Sequence, residues 1–373
     1  MIKNKIKTIM VIFILIIVGG IEMGCSSKVS MRSSAEIVSD MGVGWNLGNS
    51  LDSKIEGGLG AEIADYETAW GNPVTTKKMI DTVKEAGFKT VRIPVNWGQH
   101  MGGYPEYKVD QEWMDRVQQV VDYVIDNEMY AIIDVHHDED WCIPTYNNEW
   151  AAMDKLEKLW LQIAEYFQSY DEYLIFETIN EPRLAGTEYE WNEGTAESRD
   201  VVNKLNLTAV NAIRSTGGNN EKRAIMIPTY ADSGLEAVIN GLQVPADDNI
   251  IVTIHAYTPY DFAMNEEGDN SWGSHSDKKD IKDELDRYYD AFILKGIPVV
   301  IGEFGSINKN NLADRTKLAG YIVKEAKKRG IACIWWDNNN VSSGKESFGI
   351  LNRNTLQWYY PDIVKVMIEI YYY

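Results

Sequence analysis

From Val38 onward, short runs of β-branched and aliphatic residues alternate with longer stretches in which apolar residues recur every three or four positions. The short runs predict eight strands, at Gly42–Leu47, Thr90–Pro94, Tyr130–Asp134, Leu174–Glu177, Ala224–Pro228, Ile250–His255, Val299–Glu303 and Ala332–Trp336. The longer stretches predict helices. Met114, Val117, Val121, Val124 and Ile125 share one helical face, as do Leu156, Leu159, Trp160, Ile163 and Phe167. Asp110 is placed to cap the first of these two. Gly87, Gly296 and Gly330 stand where a helix would end in a left-handed residue. Continuous apolar strands separated by helices imply a parallel β/α architecture. Eight such units predict a single α/β domain, a (β/α)8 TIM barrel over residues 39–373. A doubly wound sheet is the alternative, but the turn after the first strand, Gly44-Trp45-Asn46-Leu47-Gly48-Asn49, lacks the spacing of a dinucleotide-binding loop.

Composition narrows the partner. The chain has 36 Lys+Arg against 56 Asp+Glu, a formal net charge of −20. That charge argues against nucleic acid and anionic lipid, both of which need basic patches. The 12 Trp and 21 Tyr outnumber the 8 Phe. Trp and Tyr combine a flat apolar face with a polar handle, which suits sugar rings as well as large cores.

The amino terminus reads as an address. Lys3, Lys5 and Lys7 precede the apolar run Ile9 to Val18, too short for a comfortable membrane span. Met23-Gly24-Cys25 follows, and the order resembles a bacterial lipoprotein signal over residues 1–24 with Cys25 as the lipidated residue. An ordinary signal peptide cleaved nearby is the competing reading. Either one exports the protein, to the medium or to the cell surface, with membrane contact only through the lipid. Residues 25–38 are expected to form a tether. Cys142 and Cys333 are expected to be free thiols.

In a parallel barrel, chemistry sits at the carboxyl ends of the strands. Polar residues collect there: Asn46 and Asn49, Arg92, Asp134 with His136 and His137, Asn180 with Glu181, His255 with Tyr257, Glu303, and Trp336 with Asp337. Each has a bland explanation singly, but a rim carrying all of them does not. Glu181 and Glu303 are the centre, because breaking a glycosidic bond needs one carboxyl group to protonate the leaving oxygen and another at the anomeric carbon. Arg92 and Tyr257 are placed to hold Glu303 ionised. Asn180 is a donor for a sugar hydroxyl, His136 and His255 are orienting groups, and Trp336 is a platform for the ring.

These motifs resemble glycoside hydrolase family 5 cellulases. The matching pieces are Gly44-Trp45-Asn46-Leu47-Gly48-Asn49, Arg92-Ile93-Pro94, Asp134-Val135-His136-His137, Asn180-Glu181-Pro182, His255-Ala256-Tyr257, Gly302-Glu303-Phe304-Gly305 and Trp335-Trp336-Asp337. With Glu67-Thr68-Ala69-Trp70-Gly71-Asn72-Pro73 they resemble the endoglucanase branch acting on cellulose, mixed-linkage β-glucan and xyloglucan. The resemblance implies a retaining endo-β-1,4-glucanase with Glu181 as acid/base and Glu303 as nucleophile. It implies Arg92, His136, Asn180, His255, Tyr257 and Trp336 as the surrounding shell.

Asn46, His137, Trp70, Trp141, Trp191 and Trp336 are the substrate-binding candidates. Further aromatics on the predicted loops are Trp97, Tyr146, Tyr189, Tyr260, Phe262 and Trp272. Neither a cofactor nor a metal is expected, and the protein is expected to act as a monomer. His136 and His137 are adjacent, and on a strand they would face opposite ways, which argues against a metal-dependent hydrolase. By the same alternation Trp335 would face away from Trp336, and His137 would pack or only touch substrate. Asp138-Glu139-Asp140 and Glu266-Glu267-Gly268-Asp269 read as solvated acidic loops, with calcium the lesser alternative. The functional alternatives are a mannanase or xylanase on the same scaffold and a non-catalytic glycan binder. One helix is expected after strand 8, and no carbohydrate-binding module is expected to follow the barrel.

Overall fold

The computed structural model describes residues 31–57 and 61–372. The lipidation candidate Cys25 and the whole signal segment lie outside the described residues. Eight parallel strands close into a barrel in chain order: β1 (Val43–Asn46), β2 (Thr90–Ile93), β3 (Tyr130–Ile133), β4 (Leu174–Glu177), β5 (Ile225–Pro228), β6 (Ile250–Ala256), β7 (Val299–Phe304) and β8 (Ala332–Trp335). Long helices return the chain between them, among them Gln111–Ile125, Glu149–Tyr166, Ala196–Ser215, His275–Ala291 and Leu312–Lys328. Asp110 caps the first of these through the backbone N–H of Glu112. Gly87, Gly296 and Gly330 all have positive φ. No described helix is long and apolar enough to cross a membrane.

Strand alternation splits the core in two. Trp45, Val91, Ile133, Phe176, Ile254, Ile301 and Trp335 pack outward against the helices. Ile132, Ile175, Met226, Ile251, Val300 and Ile334 fill the inside of the barrel. The same two-residue period points Arg92, Asp134, Glu177 and His255 inward and carries them to the open carboxyl end. Glu303 breaks the rule. It has the parity of Ile301, which faces the helices. The β6–β7 and β7–β8 registers both shift here, so that His255 pairs with Glu303. This bulge re-aims Glu303 into the barrel. Gly302 makes the crossing feasible, since a Cβ there would lie 2.6 Å from Thr253 Oγ1.

The amino-terminal expectation needs correction. The tether was expected to reach residue 38, but Ser34–Asp40 is a helix with a full capping box at Ser33. Ile37, Val38 and Met41 pack into the inner core. Arg32 anchors the entry by pairing with Glu172 at 2.5 Å and Asp40 at 3.1 Å. The apolar spacing Ile37, Val38, Met41 was the overlooked signal. Cys142 and Cys333 are free and buried.

Candidate active site

The carboxyl ends of β2, β4, β6 and β7 bring the two glutamates together. One carboxyl oxygen of Glu181 lies within 4.8 Å of one of Glu303. Glu303 is held on both oxygens: Arg92 Nη1 donates to Oε1 at 2.9 Å and the Tyr257 hydroxyl to Oε2 at 2.7 Å. Arg92 is itself fixed by a bidentate pair with Glu177 (2.7 and 2.8 Å) and by Asp134 (2.8 Å). Its Nη2 also donates to Asn180 Oδ1 at 2.7 Å, leaving the Asn180 amide nitrogen as the free donor. Glu181 sits in the left-handed region, at φ +42°. Its backbone N–H donates to Asp232 Oδ2 at 2.8 Å, and its Oε1 lies 2.8 Å from His255 Nδ1.

The two carboxyls have different electrostatic settings. Burial pushes the Glu181 pKa up. The hydrogen bond and charge of His255, then Arg183, more than reverse this and hold Glu181 at about 2. Burial lowers His255, but Glu303, Asp232 and Glu181 outweigh it and raise His255 to about 10. In the free site a proton therefore resides on His255, hydrogen-bonded to Glu181. Burial raises Glu303, with a further push from Glu181, while His255, Arg92 and Tyr257 pull it back. The pair titrates as a unit. His136 is neutral, because burial drives its pKa well below the ordinary value; its Nδ1 donates to Asp134 at 2.8 Å.

The substrate-binding candidates divide. Trp336 lies at the site, its ring parallel to that of His136 with centroids 6.0 Å apart. Gly48 lies under it, where a Cβ would come within 2.6 Å of the indole. Trp70 is 41% exposed and packs edge-on against His137. Trp191 is 62% exposed, with one face covered by the Arg183 guanidinium at 4.3 Å. Trp141 is half-buried beneath Lys155 Nζ at 4.5 Å.

Asn46 is a correction. It is fully buried, its amide nitrogen donating to the Gly302 carbonyl at 3.0 Å and its oxygen accepting from Arg92; it braces the bulge and does not face sugar. Trp97, Phe262 and Trp272 are core residues. Asp138 is buried and not a solvated loop residue: it accepts the backbone N–H of Gly98 at 3.0 Å. Trp335 faces the outer core, as expected. His137 departs from strand alternation, with φ +55°, and its ring meets that of His136 at 4.4 Å.

Four residues escaped the reading of the sequence. Glu177 looked like a strand end, although an acid closing the apolar run Leu-Ile-Phe should have suggested a buried partner for Arg92. Asp232 lies four residues past the end of β5 and belongs to none of the sequence motifs. Arg183, two residues past Glu181, pairs with Glu139 at 3.1 Å and Glu190 at 3.2 Å. Asp52 is buried near His137.

Comparison with known proteins agrees with this geometry. Residues 54–342 match the family model described as Cellulase (glycosyl hydrolase family 5). Endoglucanase A of Clostridium longisporum is 55% identical over 92% of this chain, and endoglucanase B of Clostridium cellulovorans 45% identical over 98% of it, covering 83% of that protein. The chain spans 66% of the length of the first of these and 40% of a 51%-identical cellulase/esterase of Acetivibrio thermocellus. Among solved structures, a GH5-4 broad specificity endoglucanase from Clostridium acetobutylicum superposes with a TM-score of 0.87 at 53% identity, over 90% of this chain and 99% of that one. A counterpart from Ruminococcus champanellensis with bound cellotriose gives 0.88 at 47% identity, over 91% and 99%. The chain belongs to the cellulases of glycosyl hydrolase family 5.

Proposed function

We propose that this protein is a retaining endo-β-1,4-glucanase that cleaves β-glucans such as cellulose and mixed-linkage glucan. The observation that carries the reading is the Glu181–Glu303 pair. Facing oxygens within 4.8 Å suit direct attack, for which carboxyls lie roughly 5–5.5 Å apart, better than the roughly 6.5–9.5 Å of an inverting site. Glu303, gripped by Arg92 and Tyr257, attacks the anomeric carbon. The Glu181–His255 couple supplies the proton to the departing sugar. Glu181 then takes a proton from water, and that water releases the glycosyl-enzyme. The free amide of Asn180 and the face of Trp336 orient the ring at the bond, while Trp70 and Trp191 extend contact along the chain, which favours internal cleavage.

The relatives named endoglucanases support a glucan substrate. The lysine-headed apolar segment and Cys25 support export, to the medium or as a lipid-anchored surface protein, and a monomer suffices for the site. Initial rates on carboxymethylcellulose, mixed-linkage glucan, xyloglucan, mannan and xylan test the reading. The glucans are expected to be cleaved, with Glu181→Gln slowed by about 10²–10⁴-fold and Glu303→Ala reduced to background. Preference for mannan or xylan, or an active Glu303→Ala variant, would overturn it.

A further inference from the structure

Strand alternation would have sent His136 and His137 to opposite sides. The left-handed backbone of His137 cancels that alternation, and the two imidazoles meet edge to face with centroids 4.4 Å apart. A buried carboxylate completes the group. Asp52 Oδ2 lies 3.7 Å from His137 Nε2, and one ligand atom from each of Asp52, His136 and His137 lies within 4.8 Å of the others. Asp52 is held in place by the backbone N–H groups of Asn49 and Ser50, at 3.0 and 2.7 Å.

Each imidazole also has a carboxylate against its other nitrogen. His136 Nδ1 is 2.8 Å from Asp134, and His137 Nδ1 is 3.4 Å from Glu139. A carboxylate on Nδ1 fixes the ring and leaves Nε2 as the lone-pair donor, which is the arrangement behind most metal-ligating histidines.

We propose that Asp52, His136 and His137 form a binding site for a divalent transition-metal ion of the zinc class, and that an ion held there competes with the sugar chain beside Glu181. Two imidazoles and one carboxylate form a donor set suited to such ions. Bonds of about 2.0–2.2 Å place ligand atoms around a tetrahedral ion roughly 3.4 Å apart. The Asp52–His137 spacing of 3.7 Å is already close to this, and His136, whose ligand atom lies within 4.8 Å of the other two, is seated by a side-chain shift of up to about 1.4 Å. Water fills the fourth position. The ion takes no part in hydrolysis, so the site is inhibitory. The inhibition, but not the binding, rests on the glucanase reading.

Zinc chloride titrated into the full chain by calorimetry tests the proposal, with His137→Gln and Asp52→Asn alongside. One zinc per chain is expected, bound at least tenfold more weakly by each variant, with folding of both verified by circular dichroism. Saturating zinc is expected to raise the apparent KM on mixed-linkage glucan without lowering kcat. Absence of binding up to millimolar zinc, or affinity unchanged in both variants, would overturn the site. Bound zinc that leaves KM unchanged would overturn the competition. An enzyme inactive on every glucan would instead count against the glucanase reading, and the stoichiometry and the variants would still decide the metal site.

Discussion

At the scale of single residues, the site is an arrangement for keeping a proton on His255, next to Glu181. His255 Nδ1 lies 2.8 Å from Glu181 and 3.6 Å from Glu303, and its Nε2 is 3.9 Å from Asp232. Its pKa of about 10 is above the ordinary histidine value, so its proton is kept at neutral pH and lost as pH rises through that region. Replacing it by Asn removes the cation that depresses Glu181, whose pKa then rises. Glu181 would carry its own proton and lose it at lower pH than His255 does. The alkaline limb of kcat/KM on mixed-linkage glucan is therefore expected to move toward acid in His255→Asn, and an unmoved limb would contradict the shared proton. Burial raises the Asp232 carboxyl well above the ordinary range, yet Asp232 supports the His255 cation; Asp232→Asn keeps an acceptor for the Glu181 N–H and removes that support. It is expected to lower kcat more than it raises KM, and to shift the same limb acidward by on the order of one pH unit. Loss of thermal stability with an unchanged pH profile would mean that Asp232 is only structural.

At the scale of elements, most of the barrel was legible in the sequence, because a parallel strand buried on both faces is a continuous apolar run that stands out between helical periods. Arg92, Glu303, His255 and Tyr257 were legible because each interrupts, closes or directly follows such a run, and Glu181 because it lies in the Asn180-Glu181-Pro182 motif after one. Three features were not. The bulge at Gly302 turns Glu303 inward against its own alternation. The left-handed residues Glu181 and His137 redirect their side chains. The helix Ser34–Asp40 announces itself only by the three apolar positions Ile37, Val38 and Met41, the first two within it and the third at its end. Backbone exceptions of this kind depend on partners distant in sequence, such as Thr253 against Gly302, and a local pattern cannot report them. The short helix is nevertheless built into the core. Ile37 is fully buried, and Ile37→Ala is expected to destabilise the fold by about 2–5 kcal/mol in denaturant titrations. A loss below about 0.5 kcal/mol would mean that the helix is a detachable part of the tether.

At the scale of the whole molecule, the net charge of −20 gives a neutral polysaccharide no electrostatic attraction, and stacking and hydrogen bonds must supply the binding. The KM for mixed-linkage glucan is therefore expected to change less than about twofold between 20 and 500 mM NaCl, a range over which screening abolishes charge steering. A steep salt dependence would indicate a charged substrate. The central claim is that Glu181 and Glu303, brought together by opposite sides of one barrel, cleave a β-glucosidic bond by double displacement. Proton NMR of the reducing end newly formed from cellotetraose tests it most directly. The β-anomer is expected first, with the α-anomer appearing only by later mutarotation; the α-anomer first, or no cleavage, would contradict the account.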